Sequence, residues 1–227
     1  MSAQRRIAVV GGGSGALGRA VAVRLVADGF PVVVAARRPP DPDVPGAVFV
    51  HCDLGVSSDV EALDARVRAD GGWAAVVNAS GGYAGDLAHR IGEEERAARL
   101  DLNLLGPWRL AASAARAMEE QGDGGRIVNV ISRAAVEVAA GQAAYQVAKA
   151  GLLRLTEVMA RELLESGITV NAVLPSIMDT PANRRGMPGA DTSRWVPVER
   201  VAAVVSWLLS GEADQTSGAA VPVYGRA

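Results

Sequence analysis

The opening stretch of the chain, residues 7–36, reads IAVVGGGSGALGRAVAVRLVADGFPVVVAA. It begins with a β-branched run at 7–10, which leads into a glycine-rich loop at 11–18 and a helical pattern at 19–27. A second apolar run follows at 32–36. Two short apolar runs that flank a helix predict neighbouring parallel strands, buried on both faces of a sheet.

The alternation of strands and helices continues along the whole chain. Further strands are predicted at 47–51, 73–78, 126–131, 169–174 and 219–224, and further helices at 59–69, 93–100, 107–120, 142–164 and 198–209. The pattern predicts a single α/β domain over 1–227, with a Rossmann-type, doubly wound, mainly parallel seven-stranded sheet and helices on both faces. Segment 176–197 is long for a connection in a compact domain, so we expect a lid or a wall of a substrate cleft.

The composition excludes several classes of function. A formal net charge of -2 over 227 residues does not favour binding of nucleic acid or of an acidic membrane surface. The single cysteine, Cys52, cannot form an internal disulfide, which predicts a reduced, cytoplasmic protein, and it follows apolar residues that suggest the end of a buried strand. No apolar run reaches the length of about 20 residues that a membrane span needs. His51 and His89 stand alone in the sequence, so we expect no metal site.

The glycine-rich loop has the position and composition of a phosphate-binding loop. In doubly wound sheets ligands bind beyond the carboxyl ends of the strands, where the strand order reverses. Glycines let the backbone approach a pyrophosphate, whose charge is favoured by the free N–H groups at a helix N-terminus. The loop therefore predicts a dinucleotide site that includes Gly12, Ser14, Gly15, Ala16, Leu17 and Gly18.

The end of the second predicted strand indicates which dinucleotide binds. A carboxylate at this place accepts hydrogen bonds from the ribose hydroxyls of NAD, whereas an arginine suits the 2'-phosphate of NADP. Here Ala36 is followed by Arg37 and Arg38, and no acidic residue is available at the turn. We therefore favour NADP(H) over NAD(H), although the two arginines also fit a solvated surface pair.

Tyr145 and Lys149 are four residues apart in a run that predicts a helix, so their side chains leave the same face. For a tyrosine to exchange protons at neutral pH, its pKa must fall by about three, which corresponds to roughly 4 kcal/mol. One unit charge about 4 Å away supplies roughly that much at an effective dielectric of about 20. The spacing is chemically sufficient, but an ordinary helix with one buried aromatic residue and one solvated lysine has it too.

The glycine loop, Asn103, Ser132, Tyr145 and Lys149 follow one another in an order that resembles the short-chain dehydrogenase/reductase family. Ser132 lies 13 residues before Tyr145, and the YxxxK motif is complete. The resemblance implies hydride transfer between a nicotinamide and a carbonyl carbon of a small organic substrate. In this family Tyr145 would donate the proton, Ser132 would hydrogen-bond the same substrate oxygen, and Lys149 would lower the phenol pKa and hold the nicotinamide ribose. Asn103 would support Lys149 through a water bound to its backbone; a strand cap at Ser132 and a helix bend at Asn103 are the simpler alternatives.

Other motif positions of the family also have counterparts here, and the resemblance implies that they contact the cofactor. They are Asp53 and Leu54 at the adenine pocket, Asn78 and Gly81 of the NNAG motif, and Pro175, Met178 and Thr180 at the nicotinamide end. Thr180 and the Met178 backbone would position the carboxamide, although Thr180 also fits a helix or turn cap. The chain departs from the glycine motif TGxxxGxG, because Gly11 replaces the threonine and Ala16 replaces the middle glycine.

Several local details are similar to one branch of the family, the dihydropteridine reductases. The Gly-Gly-aromatic-Ala-Gly run at 81–85 and parts of segment 176–197 carry this similarity. Those reductases, however, have an acid at the position of Ala36 and lack the serine supplied here by Ser132. Reduction of a quinonoid dihydropteridine or another C=N group is therefore an alternative to carbonyl reduction, and a non-catalytic NAD(P)-binding sensor is an alternative of another class.

The substrate pocket is predicted from the apolar residues of two loops. Tyr83, Met187 and Trp195, with nearby arginines, would suit a flat or ring-bearing carbonyl substrate, although Trp195 also fits a hydrophobic latch that closes the lid. The family resemblance further implies a homodimer or homotetramer, built from the helices near 107–120 and 142–164.

Overall fold

A computed structural model describes residues 6–226. Its strands are β1 (Ile7–Gly11), β2 (Val32–Ala36), β3 (Ala47–His51), β4 (Trp73–Asn78), β5 (Gly125–Val130), β6 (Ile168–Pro175), β7 (Met178–Asp179), β8 (Val196–Pro197) and β9 (Ala220–Val223). Its α-helices are α1 (Ala16–Ala27), α2 (Ser57–Ala69), α3 (Glu93–Leu100), α4 (Gly106–Gln121), α5 (Ala143–Glu162), α6 (Pro181–Gly186) and α7 (Val198–Leu209).

Seven strands form one sheet in the order β3-β2-β1-β4-β5-β6-β9, and all of their pairings are parallel. This confirms the predicted doubly wound, Rossmann-type sheet. The strand order reverses between β1 and β4, where Gly11 pairs with Asn78, and Asn78 in turn pairs with Asn129 of β5. The ends of these three strands therefore meet at one edge, which is where such sheets bind ligands.

The two faces of the sheet bury two separate apolar clusters. Ile7 and Val9 of β1 pack on one side with Leu110 of α4, while Ala8 and Val10 pack on the other side with Leu25 of α1. Side chains of a strand alternate between the two faces, so a strand covered on both sides must be apolar at every position. This double burial accounts for the unbroken apolar run at the start of the chain.

Strand β3 corrects one expectation, because it is not buried. It lies at the edge of the sheet with β2 as its only partner, and Val48 is 52% exposed. An edge strand is covered by a helix on fewer sides than a central one, so apolar residues in it stay partly in contact with water. Cys52, just beyond the strand, is buried, and this burial raises the pKa of its thiol to about 11.

Segment 176–197 also differs from the predicted long loop, because it contains short regular elements. Strand β7 pairs with β8, α6 lies between them, and a 3-10 turn covers Thr192–Arg194. Thr180 caps α6 by accepting a hydrogen bond from the Asn183 N–H at 3.1 Å. Local caps and a two-residue strand pair carry little apolar periodicity, which is why the sequence pattern did not reveal them. Within the described residues, no helix is long and apolar enough to cross a bilayer.

Candidate active site

The glycine-rich loop brings backbone unusually close to backbone at the edge of the sheet. Gly12 has a positive φ of 74°, and a Cβ at this residue would lie 2.6 Å from the Ser80 backbone nitrogen. A Cβ at Gly18 would lie 2.4 Å from the Gly12 carbonyl oxygen, so this position requires glycine. Helix α1 begins at Ala16, three residues before the predicted start. No side chain caps α1 at Gly15, so the first-turn N–H groups can serve a pyrophosphate.

The end of β2 carries the arginines that were predicted to choose the cofactor. Ala36 is buried, whereas Arg37 and Arg38 are exposed, and neither guanidinium has an ion pair or hydrogen bond to another described residue. The Ser14 hydroxyl donates a hydrogen bond to the Arg38 backbone carbonyl, which ties the glycine loop to this turn. Two unpaired guanidinium groups beside a phosphate-binding loop fit the additional phosphate of NADP.

Asp53 and Leu54 lie beyond the end of β3, on the side of the crevice where an adenine is expected. One carboxylate oxygen of Asp53 accepts a hydrogen bond from the Gly55 N–H at 2.9 Å. The Leu54 side chain is buried against the core, and its carbonyl accepts a hydrogen bond from Arg109 at 3.0 Å. Their backbones are therefore held in place by protein contacts, as a preformed pocket requires.

The Asn78 side chain is fully buried beneath the crevice, and its contact with the cofactor stays a prediction. Its amide donates hydrogen bonds to the Pro107 carbonyl at 3.0 Å and to the Asn129 side chain at 2.7 Å. Asn129 then donates to Thr156 at 2.9 Å, and Thr156 donates to the Leu152 carbonyl at 2.8 Å. This chain of bonds connects β4, β5, α4 and α5, so Asn78 helps to hold the site together from below.

The structure brings Ser132, Tyr145 and Lys149 together at the carboxyl end of β5. Tyr145 lies in the first turn of α5, and its hydroxyl is hydrogen-bonded to Ser132. The Ser132 hydroxyl also accepts a hydrogen bond from the Ala134 N–H at 3.2 Å. Ser132 therefore caps a 3-10 turn and also contacts the phenol, while its hydrogen bond to a substrate oxygen stays a prediction.

Lys149 is only 3% exposed, and its ammonium donates a hydrogen bond to the Val130 carbonyl at 3.1 Å. Its nitrogen lies 5.9 Å from the centre of the Tyr145 ring. Burial lowers the pKa of Lys149 from 10.5 to about 8, because desolvation disfavours the charged form.

The pKa of Tyr145 departs in the direction opposite to the one expected from the sequence. Burial raises it, the nearby Tyr83 raises it further, and the hydrogen bond from Ser132 opposes the rise without cancelling it. The net pKa of the phenol is therefore raised and not lowered as expected, because desolvation outweighs the hydrogen bond from Ser132. The Tyr145 phenol keeps its proton at neutral pH, the form that a proton donor needs.

Asn103 lies in a π-helical turn, Asp101–Leu105, that joins α3 to α4, and its side chain is buried. Its oxygen accepts a hydrogen bond from the Gly82 N–H at 3.0 Å, and its amide donates to the Gly82 carbonyl at 3.1 Å and the Arg99 carbonyl at 3.0 Å. A Cβ at Gly81 would lie 3.0 Å from the Asn103 oxygen and 3.1 Å from the Lys149 nitrogen. Asn103 thus occupies a helix bend and holds the loop that covers Lys149, while its role through a bound water remains a prediction.

The residues predicted near the nicotinamide and the substrate differ in their exposure. The Met178 carbonyl accepts a hydrogen bond from Asn183 at 2.8 Å, and Pro175 ends β6 as a buried residue. Tyr83 is 65% exposed, and its ring meets the Tyr145 ring edge-on at 5.6 Å between centres. Met187 is half-exposed, whereas Trp195 is only 7% exposed, which fits the alternative of a hydrophobic latch. The substrate contacts of both residues stay predictions.

One residue at the site was missed by the sequence interpretation. Asp86 accepts a hydrogen bond from the Ala144 N–H at 3.2 Å, beside Tyr145. The two residues are 58 positions apart, and no periodic pattern signals a contact at that distance. Among residues 6–226, no group of three or more His, Cys, Asp or Glu side chains is arranged to hold a metal ion.

A parallel sheet with a glycine loop at its reversal point, next to a Ser132, Tyr145 and Lys149 cluster, defines an NAD(P)-dependent oxidoreductase that acts on CH–OH or C=O groups. The model of the short chain dehydrogenase family matches residues 6–189, and this chain belongs to that family. The fold and the family place the protein among the carbonyl-acting oxidoreductases of this class.

Similar proteins include two curated reductases. The 3-oxoacyl-[acyl-carrier-protein] reductase MabA of Mycobacterium tuberculosis is 33% identical over 231 residues, which cover 97% of this chain and 92% of MabA. The 3-oxoacyl-[acyl-carrier-protein] reductase FabG of Salmonella typhimurium is 31% identical over 240 residues, which cover 99% of this chain and 98% of FabG.

A solved structure of an actinorhodin polyketide ketoreductase variant with NADPH has a TM-score of 0.88 to this protein. It is 27% identical in sequence, and the match covers 99% of this chain and 98% of that chain. The structure of gox2181 is similar as well, with a TM-score of 0.90 and 27% identity.

Proposed function

We propose that the protein is an NADPH-dependent reductase of a carbonyl group in a small organic substrate, with Tyr145 as the proton donor. The observation that carries this proposal is the hydrogen-bonded pair of Ser132 and Tyr145, placed next to the buried ammonium of Lys149. A protonated phenol beside a second hydroxyl can bind and protonate one carbonyl oxygen, which a sensor of the cofactor does not require.

The chain's own residues divide the work of binding the cofactor. Backbone N–H groups at the start of α1 would hold the pyrophosphate, Arg37 and Arg38 the 2'-phosphate, and Asp53 the adenine. Lys149 would hold the nicotinamide ribose, and Thr180 with the Met178 backbone would hold the carboxamide. The bound NADPH supplies the hydride that reaches the carbonyl carbon.

The proton chemistry follows from the electrostatics of the cluster. Ser132 would orient the carbonyl oxygen, and Tyr145 would give its proton to that oxygen as negative charge develops there. The resulting phenolate is unfavourable in a buried place, and the positive charge of Lys149 offsets it. Asn103 holds the loop at Gly82, and Gly81 of the same loop lies against the ammonium. The position of the ammonium is therefore set before the substrate arrives.

The similar proteins support the carbonyl substrate and the choice of NADPH. MabA and FabG are named as reductases of 3-oxoacyl groups, and the ketoreductase structure contains NADPH. The proposal is tested by an assay of NADPH oxidation with ketones, 3-oxoacyl thioesters, imines and quinonoid dihydropteridine as substrates. Turnover of ketones or 3-oxoacyl thioesters is the expected result. Turnover of the C=N substrates alone would support the dihydropteridine alternative, and tight NADPH binding without any turnover would support the sensor.

The arginine turn should decide the cofactor preference. We expect the double variant Arg37→Ala, Arg38→Ala to weaken NADPH binding by roughly 10²-fold, because it removes charge-assisted hydrogen bonds worth about 3 kcal/mol together. NADH binding should change by less than about twofold. Fluorescence titration with both nucleotides measures the two dissociation constants, with Arg66→Ala on α2 as the control. Tighter binding of NADH than of NADPH by the unchanged protein would contradict the preference.

We also propose a single domain and a homodimer or homotetramer. The domain proposal is supported by the main sheet, whose strands run from Ile7 to Val223. The assembly proposal is supported by α4 and α5, on which Trp108 and Val147 are exposed. Large apolar residues on a helix surface are typical of an interface. Light scattering measures the molar mass in solution, and the mass of one chain would refute the assembly.

A further inference from the structure

The segment between β4 and α3, residues 81–86, covers Tyr145 and is held at both ends. At one end, the Asn103 side chain binds both the N–H and the carbonyl of Gly82. At the other end, the Asp86 N–H donates a hydrogen bond to the Gly141 carbonyl at 2.9 Å, and Asp86 forms an isolated β-bridge with Gln142. The segment is therefore fixed to Asn103 at its beginning and to the residues just before α5 at its end.

Asp86 also caps α5 from a distance. Gln142, at the start of this helix, makes no capping hydrogen bond with its own side chain. The Asp86 carboxylate instead accepts a hydrogen bond from the Ala144 N–H at 3.2 Å, one residue before Tyr145. A carboxylate at a helix N-terminus is favoured by the helix dipole. The second carboxylate oxygen of Asp86 is buried and has no hydrogen-bond partner among the described residues.

Tyr83 lies in the middle of the segment and forms the contact with the phenol. Its ring stands at 83° to the Tyr145 ring, in an edge-on arrangement. The polar and charged groups that face Tyr145 are Ser132, Lys149 and Tyr83. Ser132 caps the short 3-10 turn that follows β5, and Lys149 lies within α5. Tyr83 instead lies in the long connection between β4 and α3, so its position depends on how the ends of segment 81–86 are held.

We propose that Asp86 is a positioning residue of the reaction, which fixes segment 81–86 to the start of α5 so that the Tyr83 ring covers the Tyr145 phenol. The proposal rests on the proposed role of Tyr145 as proton donor. Asp86 itself touches neither substrate nor cofactor, and it acts through Tyr83 and through the first turn of α5.

The chain allows a direct spectroscopic test, because it contains only three tyrosines. In a background of Tyr83→Phe and Tyr224→Phe, Tyr145 is the only one left, and the absorbance of tyrosinate reports its titration alone. The phenylalanine at 83 keeps the covering ring. Introducing Asp86→Ala should lower the pKa of Tyr145 toward its ordinary value of 10.0, because the released segment lets water reach the phenol. We expect kcat to fall by about tenfold, while the NADPH dissociation constant changes by less than about twofold.

Asp86→Asn is the matched conservative variant, since it keeps a carbonyl oxygen that can accept from the Ala144 N–H. It should restore most of kcat and of the Tyr145 titration. Ser210→Ala is the control at a remote site, where it removes a similar capping bond to the Glu212 N–H at 3.2 Å. This control should lower the Tm but change neither kcat nor the titration.

The proposal is overturned if Asp86→Ala lowers the Tm yet leaves the Tyr145 titration and kcat unchanged, because Asp86 would then be only a helix cap. If Asp86→Ala does not fold, Tyr83→Leu in the Tyr224→Phe background removes the cover directly. An unchanged Tyr145 titration in that variant would likewise refute the proposal. The titration needs no turnover, so its result is distinguishable from a failure of the proposed reaction.

Discussion

Replacing Tyr145 by phenylalanine is expected to lower kcat for carbonyl reduction by roughly 10³-fold, within the range that a positioned general acid supplies. The substitution removes only the hydroxyl that is bonded to Ser132, and it leaves the ring in contact with Tyr83. Ser132 alone can still hold a carbonyl oxygen, but its hydroxyl is a far weaker acid than the protonated phenol. The NADPH dissociation constant should change by less than about twofold, because Lys149 and the glycine loop are untouched.

Single-turnover measurements with saturating NADPH separate the loss of chemistry from any loss of binding. Tyr224→Phe is the matched control, because it also removes one tyrosine hydroxyl and keeps a ring, which in this case packs under Arg133. It should retain nearly full activity. A fully active Tyr145→Phe variant would falsify the proposed proton donor and leave the reduction without an acid at this place.

Replacing Lys149 by methionine is expected to reduce activity and raise stability at the same time. A unit charge about 6 Å from the phenol is worth roughly 3 kcal/mol at an effective dielectric of about 20, so kcat should fall by roughly 10²-fold. The buried ammonium also costs stability, because its pKa in the folded protein is lowered to about 8. Removing the ammonium relieves a cost of about 3 kcal/mol, but it also removes the hydrogen bond to Val130, which is worth about 1 kcal/mol. The free energy of unfolding should therefore rise by about 2 kcal/mol at pH 7.

The dependence on pH distinguishes this explanation from better packing of the methionine. Between the folded pKa of Lys149, about 8, and its ordinary value of 10.5, the unfolded chain binds more protons than the folded one. Over that window the stability of the unchanged protein rises with pH. The advantage of Lys149→Met should therefore be full below pH 8 and disappear as the pH approaches 10.5. Denaturant unfolding at several pH values measures it, and an advantage independent of pH would contradict the assignment.

Lys149 is also the only lysine in the chain. One labelled-lysine resonance therefore reports its titration without overlap, and we expect a midpoint near the pKa of about 8. As the pH rises through this pKa, the ammonium loses the charge that offsets the phenolate, and kcat should fall. Lys149→Arg is the informative comparison, because a guanidinium keeps its charge over this range. An unchanged alkaline limb in the arginine variant would show that Lys149 does not cause it.

Much of the fold was readable from short stretches of sequence. Each of the seven strands of the sheet follows from a short apolar run with local β preference, and each was predicted within a few residues. The helical spacing of Tyr145 and Lys149 is equally local, because two residues that are four positions apart in a helix lie on the same face. The glycine loop was predicted from its composition, but its close packing at Gly12 and Gly18 against other backbone came only from the structure.

Other features depended on residues far apart in the chain. Burial of Trp195, exposure of β3 and the enclosure of Asn78 beneath the crevice are set by which elements pack over them. The capping of α5 by Asp86 joins residues 58 positions apart, which no periodicity in either stretch encodes. Backbone preferences act over a few residues, whereas burial is a property of the assembled neighbourhood.

The phenol at the centre of the site shows the difference most clearly. Its place one turn before Lys149 came from helix geometry, and its partner Ser132 came from a motif spacing. The direction of the shift in its pKa did not come from the sequence, because desolvation by the surrounding segments outweighs the hydrogen bond that favours the phenolate. Local sequence thus specified which groups could react, and the packing of distant segments specified the protonation state in which they are held.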